Sequence, residues 1–135
     1  MRAADVLRLT SVTVVPASDI RYTSAATSCG RPARFRAGRR YPLLVVHDGG
    51  DYLAYSGLKT VLDNLIHRVE VSDLIVALTY PENRLVEYAD HEPHARFLTE
   101  ELVPWIANRC PIADRASARC LMGASFGAVA SLTTA

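Results

Sequence analysis

Long apolar runs are absent from this sequence, and its charges are close to balance. No stretch of the 135 residues approaches the roughly twenty apolar residues that a membrane-spanning helix requires. Charges at positions 5 and 8 interrupt the start of the chain, where a secretory signal would be apolar. The net charge of +1 gives no overall attraction to nucleic acid or membranes. We therefore expect a cytoplasmic protein with no nucleic-acid and no membrane partner.

Cysteine is also scarce. Cys29, Cys110 and Cys120 form no Cys-x-x-Cys pair, so the sequence predicts neither a zinc site nor a disulfide framework. His91 and His94 lie three residues apart, as metal ligands can, but no pattern of carboxylates or further cysteines supports a metal site. We expect no metal and no cofactor.

Lysine occurs once, whereas arginine occurs fourteen times, and five of these arginines fall within residues 31–40 without an acidic residue. A basic patch that binds phosphate groups is one interpretation. A solvated loop is the better one, because the segment contains one aromatic residue and resembles no nucleic-acid-binding module.

Half of the residues are hydrophobic, which is enough for one domain with a core. The first strand is predicted at Val6–Val15, and a loop follows over residues 17–40. From Pro42 onward strands alternate with helices, which predicts a mostly parallel sheet with helices on both faces. The predicted elements are strand 42–47, helix 58–66 with Ser56 as N-cap, strand 74–78, loop 79–90, a helix from Glu92 with a kink or new start at Pro104, loop 109–117, and a buried strand holding Cys120 as a small hydrophobe.

That last strand leads into Gly123-Ala124-Ser125-Phe126-Gly127, a Gly-x-Ser-x-Gly sequence followed by a helical pattern. A direct turn from strand to helix forces its central residue into a strained backbone conformation. Ser125 would then project above the sheet at the N-terminus of a helix, and the Phe126 amide could face a developing oxyanion. The carboxyl ends of parallel strands form one edge of a sheet, so the loops after His47 and Leu78 should lie there too.

Four segments in this order resemble the "Putative esterase" family of the α/β-hydrolase fold, which includes enterochelin esterase and esterase D. They are residues 41–50, Arg84-Leu85-Val86-Glu87-Tyr88, residues 97–104 and residues 123–127. The resemblance covers residues 41–135, whereas residues 1–40 match poorly. It implies one incomplete α/β-hydrolase domain that stops after the nucleophile elbow.

The resemblance also implies roles for individual residues. Ser125 would be the nucleophile that accepts an acyl group from a small-molecule carboxylic ester. Amides of the Asp48–Tyr52 loop, at Gly49, Gly50 and Asp51, would form the oxyanion hole together with the Phe126 amide. Arg84, Glu87 and Tyr88 match a charged motif whose loop lies near the substrate in the family, although Arg84 and Glu87 could equally form a surface ion pair.

One departure from the family concerns the catalytic base. Hydrolases of this fold supply an acidic residue and then a histidine after the serine, but all four histidines here precede Ser125. His47, at a strand end, is more typical of a core histidine, and His67 of a cap or surface residue. The expected activity is therefore that of a serine esterase, or an acyltransferase, whose acid and base are missing from this sequence.

The alternative is a truncated, inactive remnant with at most a protein-binding role. The family places a further strand beside the nucleophile strand. Without that strand, Arg119–Met122 would present an open sheet edge, which a homodimer could cover.

Overall fold

The structure, a computed structural model, describes residues 11–16, 36–81 and 83–135. Four strands form one sheet in the order β1-β3-β2-β4. Strand β2 is parallel to β3 and β4, whereas β1 is antiparallel to β3. This confirms the mostly parallel sheet, although residues 6–10 of the predicted first strand lie outside the described residues. The strands are β1 (Ser11–Pro16), β2 (Leu43–His47), β3 (Ile75–Tyr80) and β4 (Arg119–Met122).

The described residues include six α-helices, and none of them is long and apolar enough to cross a membrane. A π-helical turn, Phe97–Leu102, joins the fourth to the fifth, and a 3₁₀ turn, Ala116–Ala118, precedes β4. The helices are α1 (Gly49–Tyr55), α2 (Leu58–His67), α3 (Arg84–Glu87), α4 (Glu92–Arg96), α5 (Val103–Ala107) and α6 (Phe126–Thr134).

Helices cover both faces of the sheet because alternate side chains of β2 and β3 point to opposite sides. On one face, Val45 and Ala77 pack with Leu98, Leu102 and Ile106 of the stretch from the π-helical turn to α5. On the other face, the strand residues Val46, Val76 and Leu78 pack with Leu58 and Leu62 of α2. The two cores together hold the carboxyl ends of β2 and β3 side by side.

The helix after residue 91 restarts next to Pro104, as the sequence predicts. Proline has no amide hydrogen, so the carbonyl four residues earlier cannot receive its usual hydrogen bond. The π-helical turn immediately before α5 widens the helix at this point, and Pro104 then occupies the first turn of α5, where an amide donor is not needed. Leu98, Leu102 and Ile106 nevertheless stay on the buried face.

Three local predictions are wrong. The Asp48–Tyr52 segment is mostly helical, because α1 begins directly at Gly49. Gly57, not Ser56, is the N-cap of α2, and the Ser56 hydroxyl instead donates to the Tyr52 carbonyl at 2.6 Å. The predicted loop at residues 79–90 contains the end of β3 and the short helix α3.

Two predictions about cysteine are also wrong. Cys110 is buried and disulfide-bonded, whereas the cysteine spacing predicts no disulfide framework. Cys120 carries an exposed free thiol instead of filling the core. The reason is its position on β4, which pairs with β2 and has no second neighbour among the described strands. The homodimer that would cover this edge stays a prediction.

The exposure of Cys120 predicts selective alkylation. Iodoacetamide added to the native protein should modify Cys120, because its free thiol is exposed to solvent. Peptide mass mapping before and after denaturation checks this expectation. Cys120→Ser should remove the native modification, and protection of Cys120 in the wild type would show that another surface covers β4.

Candidate active site

The turn between β4 and α6 has the backbone strain expected of a nucleophile elbow. Ser125 adopts φ 55° and ψ −123°, a conformation that costs a non-glycine residue about 1–3 kcal/mol. It is the N-cap residue of α6 and is exposed. The predicted order of strand, sharp turn and helix is confirmed. Ser125 lies at the edge of the sheet that is formed by the carboxyl ends of the parallel strands.

The flanking glycines are required by close contacts of the backbone. A Cβ atom on Gly123 would lie 2.4 Å from both the carbonyl carbon and the oxygen of Gly127. A Cβ on Gly127 would lie 3.3 Å from the His47 Cβ and 3.5 Å from an Asp48 carboxylate oxygen. The Gly-x-Ser-x-Gly spacing therefore lets the first turn of α6 pack against β2.

Some of the backbone amides that follow Ser125 already donate a hydrogen bond, whereas another has no acceptor within the helix. Gly127 N–H donates to the Ala124 carbonyl at 2.9 Å, and Ala128 N–H donates to the Ser125 carbonyl at 3.0 Å. Phe126 is the first residue of α6, where an amide has no acceptor within its own helix. Its N–H is thus suited to an oxygen bound beside Ser125.

The other predicted oxyanion donors lie at the start of α1. Asp48 has a left-handed backbone, φ 55°, and Gly49 and Gly50 are the first two helical residues, whose amides also lack helical acceptors. Asp51 does not fit its predicted role, because its N–H already donates to the Asp48 carbonyl at 3.0 Å. A Cβ on Gly49 would lie 2.5 Å from the Leu78 Cβ, so the first residue of α1 is in close contact with β3.

Arg84, the first residue of α3, reaches the elbow. Its Nε donates to the Asp48 carboxylate at 2.9 and 3.1 Å, and Nη2 donates to the Ala124 carbonyl at 3.5 Å. The guanidinium carbon lies 5.7 Å from the ring centres of both Tyr88 and Phe126. The structure therefore brings Arg84 together with the two predicted halves of the oxyanion site.

Glu87 and Tyr88 are buried beneath this surface. Glu87 is 4% exposed and its Oε1 accepts the Asn83 N–H at 2.7 Å, so a surface pair with Arg84 is excluded. The Tyr88 hydroxyl accepts the Asp48 N–H at 3.2 Å, and burial raises the pKa of Tyr88 to about 12. Tyr88 therefore supports the turn at Asp48 from below, whereas Glu87 binds the backbone at the start of α3.

His47 is a core histidine, as its strand-end position predicts. It is fully buried, and its Nδ1 lies 3.1 Å from the Ser131 hydroxyl, more than one turn along α6 from Ser125. Burial lowers the pKa of His47. Among the described residues, no histidine forms a hydrogen bond with Ser125, which agrees with the absence of a histidine after the serine.

The structure also contains a cluster of buried aromatic and imidazole rings that was not predicted from the sequence. The rings of His47, Tyr88 and His94 lie 5.0–5.5 Å apart between β2, α3 and α4. His94 is 1% exposed, and neither of its ring nitrogens has a hydrogen-bond partner in the described part of the chain. Burial lowers the pKa of His94 to about 4.

Within residues 11–16, 36–81 and 83–135, no group of three or more His, Cys, Asp or Glu side chains could hold a metal ion.

The sheet order, the strained serine at the carboxyl edge and the helix behind it define a partial α/β-hydrolase fold. Residues 24–135 match the family described as "Putative esterase", and the chain belongs to this family. The match begins before Tyr41, where the sequence resemblance starts, and extends through the elbow helix.

Similar proteins support the same fold. The enterobactin esterase FES from Shigella flexneri, solved in the presence of enterobactin, is 25% identical with a TM-score of 0.65, over 72% of this chain and 26% of that one. A ferulic acid esterase structure has a TM-score of 0.62 at 20% identity, over 75% of this chain and 44% of that one. The "Uncharacterized protein YjcH" of Bacillus subtilis (strain 168) is 25% identical over 111 residues. This chain spans 46% of the length of YjcH.

Proposed function

We propose that this chain provides the nucleophile and the oxyanion hole of a serine esterase that acts on small-molecule carboxylic esters. The observation that carries the proposal is the backbone of Ser125, strained at the N-terminus of α6. Strain of this kind persists where the surrounding structure holds it and the function uses it. The names of the structural neighbours, an enterobactin esterase and a ferulic acid esterase, support ester substrates.

In the proposed reaction the Ser125 oxygen attacks the carbonyl carbon of the ester while a base takes the hydroxyl proton. Negative charge then develops on the former carbonyl oxygen, and the amides of Gly49, Gly50 and Phe126 donate to it. Collapse of this intermediate expels the alcohol, which takes up the proton, and leaves acyl-Ser125. Water then releases the acid; an alcohol in its place would make the protein an acyltransferase.

The base and its acidic partner are proposed to come from residues outside these 135. His47 cannot serve without rearrangement, since it is buried and its Nδ1 is engaged with the Ser131 hydroxyl. A serine without a base is a poor nucleophile, and the members of a triad act as a unit. The 135-residue chain alone should therefore be nearly inactive.

Fluorophosphonate labelling tests this proposal. We expect no labelling of Ser125 in the 135-residue chain, and strong labelling in the protein isolated from its natural source, where intact mass shows whether further residues are present. Ser125→Ala in that natural protein should abolish labelling and reduce turnover of p-nitrophenyl esters by about 10⁶-fold. Thr134→Ala is the matched control, because it removes a hydroxyl at the far end of the same helix, where that hydroxyl donates to the Ala130 carbonyl.

Two results would contradict the proposal. Labelling that persists in Ser125→Ala would place the nucleophile elsewhere. A natural protein of 135 residues without turnover would favour the inactive remnant, with at most a protein-binding role at the β4 edge. Strong labelling of Ser125 in the 135-residue chain would instead show that a histidine of this chain, first of all His47, reaches the serine.

A further inference from the structure

We propose that Arg84 is a positioning residue that holds the turn at Asp48 against the nucleophile elbow. The inference rests on the proposed function, because it assigns these two segments to one oxyanion hole. Their amides belong to different parts of the chain: Gly49 and Gly50 follow β2, and Phe126 follows β4. A hole built from both segments works only if their separation is held constant.

Arg84 is suited to this task by its contacts. Its Nε binds both oxygens of the Asp48 carboxylate, and its Nη2 points to the Ala124 carbonyl on the other segment. The flat guanidinium group also lies within 5.7 Å of the Phe126 ring centre, at a distance where a cation and an aromatic ring attract. One side chain thus contacts the residue before Gly49 and the residues on both sides of Ser125.

Asp48 needs such a partner for two reasons. Its left-handed backbone, φ 55°, is unfavourable for a non-glycine residue and must be held by its surroundings. Its side chain is 13% exposed, so the carboxylate has lost most of its water and requires a compensating charge. The Tyr88 hydroxyl accepts a hydrogen bond from the Asp48 N–H, but it cannot neutralise the charge of the Asp48 carboxylate.

Amide hydrogen exchange of the 135-residue chain tests the proposal without requiring turnover. In Arg84→Gln we expect exchange about three- to tenfold faster at residues 48–52 and at residues 124–128, the range expected for loss of a partly exposed charge-assisted contact. In Arg84→Lys the amides of residues 48–52 should exchange as slowly as in the wild type, whereas those of residues 124–128 should exchange faster. The reason is that an ammonium group lacks the rigid fork that spans both partners. The matched control is Arg68→Gln, which breaks the exposed Arg68–Glu70 pair and should leave both segments unchanged.

The pattern of exchange decides between positioning and general stabilisation. Equal acceleration of the β2 and β3 amides in Arg84→Gln would mean that Arg84 only stabilises the fold, and it would overturn the proposal. Unchanged exchange at either segment would overturn it as well. Failure of the proposed function is separate, since it appears as a natural protein in which Ser125 is neither labelled nor required for turnover.

Discussion

Gly123→Ala is expected to destabilise the protein by about 3 kcal/mol or more, and to disrupt the elbow first. The new methyl group would lie 2.4 Å from the carbonyl carbon and oxygen of Gly127. These are backbone atoms, so no side chain can rotate away to make room. Gly127 has little freedom to retreat, because it is buried, its N–H donates to the Ala124 carbonyl and its carbonyl accepts from the Ser131 hydroxyl.

Gly57→Ala provides a control that separates this contact from backbone strain. Gly57 has φ 62°, but no atom lies within 4 Å of its Cβ position. Alanine at position 57 should lower the free energy of unfolding only by the cost of a left-handed backbone, about 1–2 kcal/mol. Urea unfolding followed by circular dichroism measures both variants. Equal midpoints for Gly123→Ala and Gly57→Ala would show that the elbow relaxes and that the contact with Gly127 is not limiting.

The stability of the protein should fall as the pH decreases from about 6.5 to about 4. Burial lowers the pKa of His94 to about 4, whereas an unfolded chain binds the proton near 6.5. In this window the unfolded state holds more protons, so the free energy of unfolding rises with pH and is largest above 6.5. His94 alone accounts for a loss on the order of 3 kcal/mol at the acid end.

The nearest charged group does not reverse this direction. Glu87 Oε2 lies 3.8 Å from His94 Nδ1, beyond hydrogen-bond length, and it would favour the imidazolium form. Burial opposes that form more strongly, and the neighbouring His47 and His91 add repulsion. The pKa of His47 is lowered for the same main reason, so both imidazoles contribute with the same sign.

Urea midpoints at pH 7 and pH 4.5 check this prediction. His94→Gln should reduce the difference between the two pH values by more than half, because glutamine does not titrate. The matched control is His67→Gln, at the exposed end of α2, which should retain the wild-type difference. A full pH dependence in His94→Gln would assign the acid sensitivity to other groups.

The strands and long helices were predictable because their signal is local. Leu43–His47 and Ile75–Tyr80 are apolar runs, and α2 repeats its buried leucines with helical spacing. The start of α1 was missed because Asp48-Gly49-Gly50 is typical of a loop. Gly49 packs closely against Leu78 where α1 begins, and a contact between two segments this far apart is not visible in the local sequence. Cys120 was misplaced because the neighbours of a strand are not visible in its own residues.

The candidate site was predictable in part. Ser125 and its glycines form a motif that requires one local geometry, and that geometry is present. The link from Arg84 to Asp48 joins residues 36 positions apart and has no local signal beyond opposite charge. The buried rings of His47, Tyr88 and His94 depend on how α3 and α4 pack on β2, which periodicity does not reveal.

Arg84 also has a consequence for how the molecule assembles. It is 36 positions from Asp48 and 40 positions from Ala124, and His47 meets Ser131 across 84 positions. Closing such long loops has an entropic cost, which the pairing of β2 with β3 and β4 helps to offset. The elbow should therefore form late in folding, on a sheet already in place. Substitutions at the elbow should then mainly speed unfolding and leave the folding rate nearly unchanged.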